Sequence, residues 1–234
     1  ANDPDVLVRD LTIIGSLDDG PSSVSLTTQG TIRVEGLLVY QDTAATDAFE
    51  IFAGERLEVV TPGGIAMVDS AGNPSGLLSL TSNNIWVGDA DLIGQLQADP
   101  NFAGREDALK TAATGSDDPL GYIRGGAIDI AVGTSLFVRN TGTEDAQGGI
   151  LVGDGILSIR SFSFIDGEPP QPIEVFAYGA KRNADGTLVT GEAFYDLVNF
   201  NKAASATGVS TIATSTRTNA RTMRRKSSNR WRRR

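Results

Sequence analysis

The chain has 234 residues and a formal net charge of −9, with neither cysteine nor histidine. Those two absences exclude Cys- or His-ligated zinc, a catalytic cysteine, a Ser-His-Asp triad and any imidazole general base. The charge divides unevenly: residues 1–216 carry 11 Lys/Arg against all 29 acids, a balance of −18, which disfavours nucleic acid as a partner of the main body.

Short clusters of Val, Ile and Leu alternate with Gly, Asn, Asp, Ser and Thr, and this pattern reads as many short strands. No run approaches the roughly 18–20 apolar residues of a membrane helix, so no transmembrane segment is expected. The chain starts at Ala1 with no visible signal peptide, and is expected to be a fragment or a processed product. Val6–Ile14 and Val24–Val39 supply early, less regular strand pairs. Gly30, Gly54, Gly76, Gly126 and Gly148 then mark a repeat, spaced by 24, 22, 50 and 22 residues. Apolar-x-apolar pairs follow the markers: Ile32/Val34, Leu57/Val59, Leu78/Leu80, Ile128/Ile130 and Ile150/Val152. A second set comes after a small turn: Ile65/Met67, Ile85/Val87, Leu136/Val138 and Leu157/Ile159. Period-two alternation puts both members of a pair on one face of a strand. Two such strands in a unit of 20–25 residues predict an all-β fold, a right-handed parallel β-helix (β-solenoid) over residues 1–160, in place of an antiparallel sandwich or meander.

The 50-residue gap holds a different pattern. Leu92, Ile93 and Leu96 stand at helical spacing, and Asp99-Pro100 reads as an N-cap with Pro at the first helical position. Phe102, Arg105/Glu106, Leu109 and Ala113 continue the spacing to Ser116–Pro119. Residues 89–120 are therefore expected to form a helical hairpin that protrudes from one turn. Pro169, Pro170 and Pro172 then punctuate the chain, and Asn183–Gly186 between Ile173–Tyr178 and Thr187–Val189 is a hairpin signal. Residues 161–202 are expected to be a C-terminal cap over the open end of the coils. Their aromatic residues (Phe176, Tyr178, Phe194, Tyr195 and Phe200) allow a sugar-binding platform as the alternative. Residues 203–234 are Ser/Thr/Ala-rich and end in Arg224-Arg225-Lys226 and Arg232-Arg233-Arg234. They read as a disordered basic tail, and the switch from acidic to arginine-dense sequence is what a shifted reading frame produces; a nucleic-acid-binding arm is the functional alternative.

Three coil segments, Gly125–Ile130, Leu136–Gly142 and Gly148–Gly155, resemble the coils of filamentous-haemagglutinin-like exoproteins, very large repeat-rich surface or secreted proteins of Gram-negative bacteria. Leu92–Phe102 and Asp117–Arg124 are similar to an insertion found in one such β-strand-repeat group. The resemblance extends over about residues 6–200 and implies export by a two-partner or autotransporter route, hence an extracellular or outer-surface location. It further implies an outer-membrane secretion partner and a structural or adhesive role, with host or cell-surface glycans or proteins as the partners.

Parallel β-helices also carry lyases and glycosidases, which need clustered carboxylates. The candidates are Asp18-Asp19, Asp89/Asp91, Asp117-Asp118, Glu144-Asp145 and Asp154, each in a predicted turn where Asp bonds its own backbone. Asp129 is followed one coil later by Leu151, so acids do not recur at one offset. Gly148-Gly149 continues as Ile-Leu-Val and lacks the calcium nonapeptide; no EF-hand loop is present, and Thr61–Gly64 lacks the Lys of a phosphate loop. A non-catalytic chain with no catalytic, metal or cofactor residues is expected, and a carbohydrate-active β-helix enzyme acting on a polysaccharide is the runner-up.

Overall fold

The computed structural model describes residues 4–15, 21–41, 43–110, 122–139, 149–153, 155–165, 168–169, 171, 173–181, 195–196 and 209–212. They form a parallel β-solenoid of about five turns. The first strands are β1 (Val6–Val8) and β2 (Leu11–Ile14), followed by a coil of β3 (Ser23–Thr28), β4 (Thr31–Val34) and β5 (Leu37–Gln41). In the next coil the first two arms fuse into one long bent strand, β6 (Ala48–Val60), and β7 (Gly64–Met67) completes the turn. The following coil is β8 (Leu77–Gly88), the helices α1 (Ala90–Ala98) and α2 (Arg105–Lys110), and β9 (Tyr122–Gly125). Then come β10 (Ala127–Val138) with β11 (Gly149–Val152), and β12 (Leu157–Ser161) with β13 (Glu174–Phe176) and β14 (Tyr178–Lys181).

Each coil has three strand arms, not the two expected. Phe49, Leu78, Ile128 and Leu157 stack in register along the first arm, and Ile32, Leu57, Ile85, Leu136 and Val175 along the second. Leu38, Ile65, Ile123 and Ile150 stack along the third. All of these side chains are buried in one continuous core. Burying each stabilises the stack by roughly 1.5–3 kcal/mol, and none is covered until the neighbouring coil is in place. The described marker glycines belong to two different corners, and Gly148 lies outside the described residues. Gly30 and Gly54 lie where the first arm turns into the second; Gly76 and Gly126 lie where the third strand leads into the next first arm. The step from Gly54 to Gly76 covers only the second and third arms, but the loop after β7 lengthens it to 22 residues, close to the 24 of the full coil from Gly30 to Gly54, which is why a two-strand frame fits the spacing.

Corners are also where coils approach most closely. A Cβ on Gly36 would overlap the carbonyl oxygen of Arg9 in the coil below, and one on Gly54 would crowd that of Gln29. At the corner before the first arm, Asp47 fixes the stack electrostatically. Its Oδ1 accepts from the Ser22 amide at 2.9 Å and its Oδ2 from the Ala44 amide at 2.8 Å. Its carbonyl accepts from Leu77 of the next coil at 2.9 Å. Burial would raise its pKa, but the bonds from Ser22 and Ala44 outweigh burial and hold it below the usual carboxylate value. A lowered folded-state pKa adds stability that is complete above the unfolded value of about 3.9 and is lost as pH falls through the folded one. Asp47→Asn is therefore expected to lower unfolding free energy by about 1–2 kcal/mol at pH 7. In urea titrations at stepped pH, the gap between variant and wild type should shrink on acidification below pH ~4.

Three expectations need correction. The insertion does contain helices, but Asp99 is the C-cap of α1 and its Oδ1 accepts from Asn101 in a tight turn; the second helix starts later, at Arg105. The pair of helices lies flat against the outer face of the second arm instead of protruding, and residues 111–121 lie outside the described residues. Residues 173–181, expected within the cap, continue the coils: β13 pairs in parallel with β10, and β14 with β11. The expected hairpin at 183–189 falls outside the described residues. At this end of the stack, β15 (Tyr195–Asp196) and β16 (Val209–Ile212) pair antiparallel with β14 and β12. Val209–Ile212, expected in a disordered tail, thus sits on a sheet edge; the rest of 203–234 lies outside the described residues.

Candidate functional site

Alternation along the second arm sends every other side chain outward, and the parallel register lines these up coil on coil. Arg33, Glu58, Trp86, Phe137 and Phe176 form one such outward row. On an open solenoid face they would be wet, but α1 and α2 cover Trp86, Phe137 and Phe176, and α1 reaches Glu58. Asp89 caps α1 by accepting from the Leu92 amide at 2.8 Å, and it also pairs with Arg139. Leu92, Ile93, Leu96 and Leu109 then pack on Val60, Trp86, Phe137 and Phe176 as a second, smaller core. Phe137 and Phe176 meet with ring centroids 5.7 Å apart.

Glu58 stands at the edge of this second core and is only 1% exposed. Its Oε2 accepts from Arg33 at 2.9 Å, and its Oε1 accepts from Arg56 at 3.0 Å and from Gln97 of α1 at 2.8 Å. For Arg33, burial opposes the charge, yet the bonds to Glu35 and Glu58 win and raise its pKa. Trp86 is just 3% exposed, with the Arg56 guanidinium 5.8 Å above its ring and its indole N–H donating to Ser135 Oγ at 2.9 Å. Ser135 in turn donates to Asn84 at 2.8 Å. Trp86→Phe keeps most of the packing and loses the head of this chain. The expected destabilisation is about 1–2 kcal/mol, read from the urea midpoint.

Two hollows open beside this covered region, at the corner between first and second arms. One, of about 280 Å³, lies between the end of α1 and the second arm, with Asn84, Gln97, Asn101 and Glu174 on its walls. The other, of about 400 Å³, lies over Gly54 and Gly133 and is flanked by Phe162, Phe164, Glu168 and Gln171. Asn83 and Thr134 line both, and the Thr134 hydroxyl donates to Asn83 Oδ1 at 2.9 Å. Phe164, 37% exposed, packs edge-on to Phe162 at 4.9 Å and against Phe52 at 5.9 Å.

Among the described residues, the sequence-selected acids do not converge here. Asp89 is a helix cap, Asp91 is exposed in the first turn of α1, and Asp129 faces outward and pairs with Arg160 at 3.2 Å. Asp18-Asp19, Asp117-Asp118, Glu144-Asp145 and Asp154 lie outside the described residues. Among the described residues no three acids stand close enough together to hold a metal ion. Of the aromatic candidates, Phe176 is buried under the helices, and Phe194 and Phe200 lie outside the described residues. Sequence reading missed Glu58, Trp86 and the Phe162-x-Phe164 pair. Only the last carried a signal, two aromatics at strand spacing just after a coil. Comparison with protein-family models, with curated proteins and with solved structures yields no match.

Proposed function

We propose that this chain is a non-catalytic structural or adhesive segment of a large secreted or cell-surface exoprotein. One observation carries the reading: among the described residues, Glu58, Glu174, Asp89 and Asp129 are occupied in holding coils and helices together. Glu58 binds two arginines and α1, Glu174 pairs with Arg105 at 2.6 Å, Asp89 caps α1, and Asp129 pairs with Arg160. A glycosidase needs two carboxyl groups facing a substrate across a gap of roughly 5–9.5 Å, one of them free to give up its proton. Glu58 is inaccessible, and Glu174 is neutralised by its arginine. Export, an outer-membrane secretion partner and binding to surface glycans or proteins follow from the exoprotein resemblance and are part of the same proposal.

The test combines shape, turnover and location. Small-angle scattering of the purified chain should fit a compact stack of about five coils, roughly 24 Å tall. Incubation with neutral and acidic polysaccharides should release neither reducing ends nor unsaturated sugars. Protease shaving of intact source cells should remove the segment from the surface. Sustained release of sugar products would overturn the reading in favour of the carbohydrate-active enzyme.

A further inference from the structure

We propose that the two hollows joined at Asn83 and Thr134 form one groove that binds a strand of uncharged oligosaccharide. This deepens the adhesive reading and rests on it. The groove floor crosses three consecutive coils, from Gly54 on β6 through Asn83 on β8 to Gly133 on β10. Adjacent parallel strands are about 4.8 Å apart, so the floor runs along the stack for more than one sugar ring. At two of its three floor positions a Cβ would meet a neighbour, the Gln29 backbone at Gly54 and Asn83 Oδ1 at Gly133, so glycine keeps the floor close-packed and free of side chains of its own. Each hollow is of the size of a small-ligand subsite, about 280 and 400 Å³.

The chemistry of the lining selects the ligand. A pyranose presents hydroxyls that both donate and accept around its rim and a nearly apolar C–H face. Side-chain amides from Asn83, Asn101 and Gln171 and the exposed hydroxyl of Thr134 match the rim, because each can give and receive hydrogen bonds. The partly exposed ring of Phe164, held edge-on by Phe162, offers a stacking face to the C–H side. Charge excludes the anionic alternatives. The cation on the lining, Arg56, is bound to Glu58 and lies over Trp86, while Glu168 adds a negative charge. A sulfated or uronate polymer would meet no net attraction here. An extended peptide is disfavoured for a different reason. The strands under the groove are interior to the sheet, with β8 paired on both sides by β6 and β10, so no free edge is open to a peptide backbone.

The experiment uses the full chain on an array of uncharged oligosaccharides (glucans, mannans, galactans and N-acetylhexosamine chains) beside sulfated and uronate chains, with isothermal titration of the hits. At least one uncharged series should bind, with little dependence on salt. Phe164→Ala should weaken binding roughly tenfold while the melting temperature stays within a few degrees. Gln171→Ala, at an exposed position, provides the second variant should Phe164→Ala fold poorly, and should also weaken binding. A preference for anionic chains, unchanged affinity in the folded variants, binding only to peptides, or no binding to any uncharged series would each overturn the proposal. A folded, non-hydrolytic chain that binds no sugar removes the groove and leaves the scaffold reading standing, whereas sugar release removes the scaffold reading itself.

Discussion

Glu58→Ala lowers the free energy of unfolding by about 2–3 kcal/mol, the loss of hydrogen bonds to a buried charged group whose partners are about a third exposed. The size of the effect comes from what is left behind. Two guanidiniums and an amide that now converge on one carboxylate, at 2.8–3.0 Å, lose it together. Arg33 keeps Glu35 at 2.8 Å, and Arg56 keeps only the face of Trp86 among its close partners here. The second arginine is thus the more poorly compensated. Truncating it as well should recover part of the loss: in a double-mutant cycle, Glu58→Ala with Arg56→Ala should cost less than the two singles added. Glu58 lies below the surface, so raising salt to about 1 M should change the loss little. Because Gln97 belongs to α1, the same substitution should also speed amide exchange in α1 before the coils open. A loss under about 1 kcal/mol would show that the carboxylate is not the tie between coil and helix.

This network shows where a solenoid stops being readable in one dimension. Inward positions were legible because each obeys a local rule: an aliphatic at every second residue, repeated in each coil. Leu92, Ile93 and Leu96 were legible for the same reason, since helical spacing alone aligned them on the face that is buried. The outward row obeys no local rule. Glu58, Trp86, Phe137 and Phe176 are separated by 28, 51 and 39 residues, because the insertion and the 162–172 excursion lengthen two of the coils between them. Taken singly, each looks like a solvated or incidental residue. They become neighbours only once the register is known, and the helices fold back onto them because they offer apolar area that water would otherwise cover. The proline cluster misled in the same way. It marks an excursion between the first and second arms of one coil, and the coil resumes at Glu174. The groove was out of reach of sequence too, since Gly54, Asn83 and Gly133 occupy one corner through stacking alone.

Leu80→Asp is the substitution that tests the stack most directly, and it should abolish cooperative folding. Leu80 lies between Ile51 and Ile130, with Ile159 one coil further along, all at most 1% exposed. A carboxylate there has aliphatic side chains above and below it and no donor on the inward face. Ionised, it carries a desolvation penalty of many kcal/mol; protonated, it still forfeits the buried isobutyl group and leaves polar atoms unpaired. Either form exceeds a large part of the roughly 5–15 kcal/mol by which a domain is stable. One residue earlier the outcome should reverse. Ser79 faces outward between Glu50 and Asp129, so Ser79→Lys places a cation between two carboxylates and should stabilise by about 0.2–1 kcal/mol. Urea unfolding followed by far-ultraviolet circular dichroism measures both. The contrast is specific to the register as well as to the alternation. The gain at Ser79 depends on Glu50 and Asp129, 29 and 50 residues away, being its lateral neighbours, and it should disappear in Glu50→Gln/Asp129→Asn. If Ser79→Lys were neutral with the acids present and Leu80→Asp still folded, the parallel stacking of these three coils would be wrong.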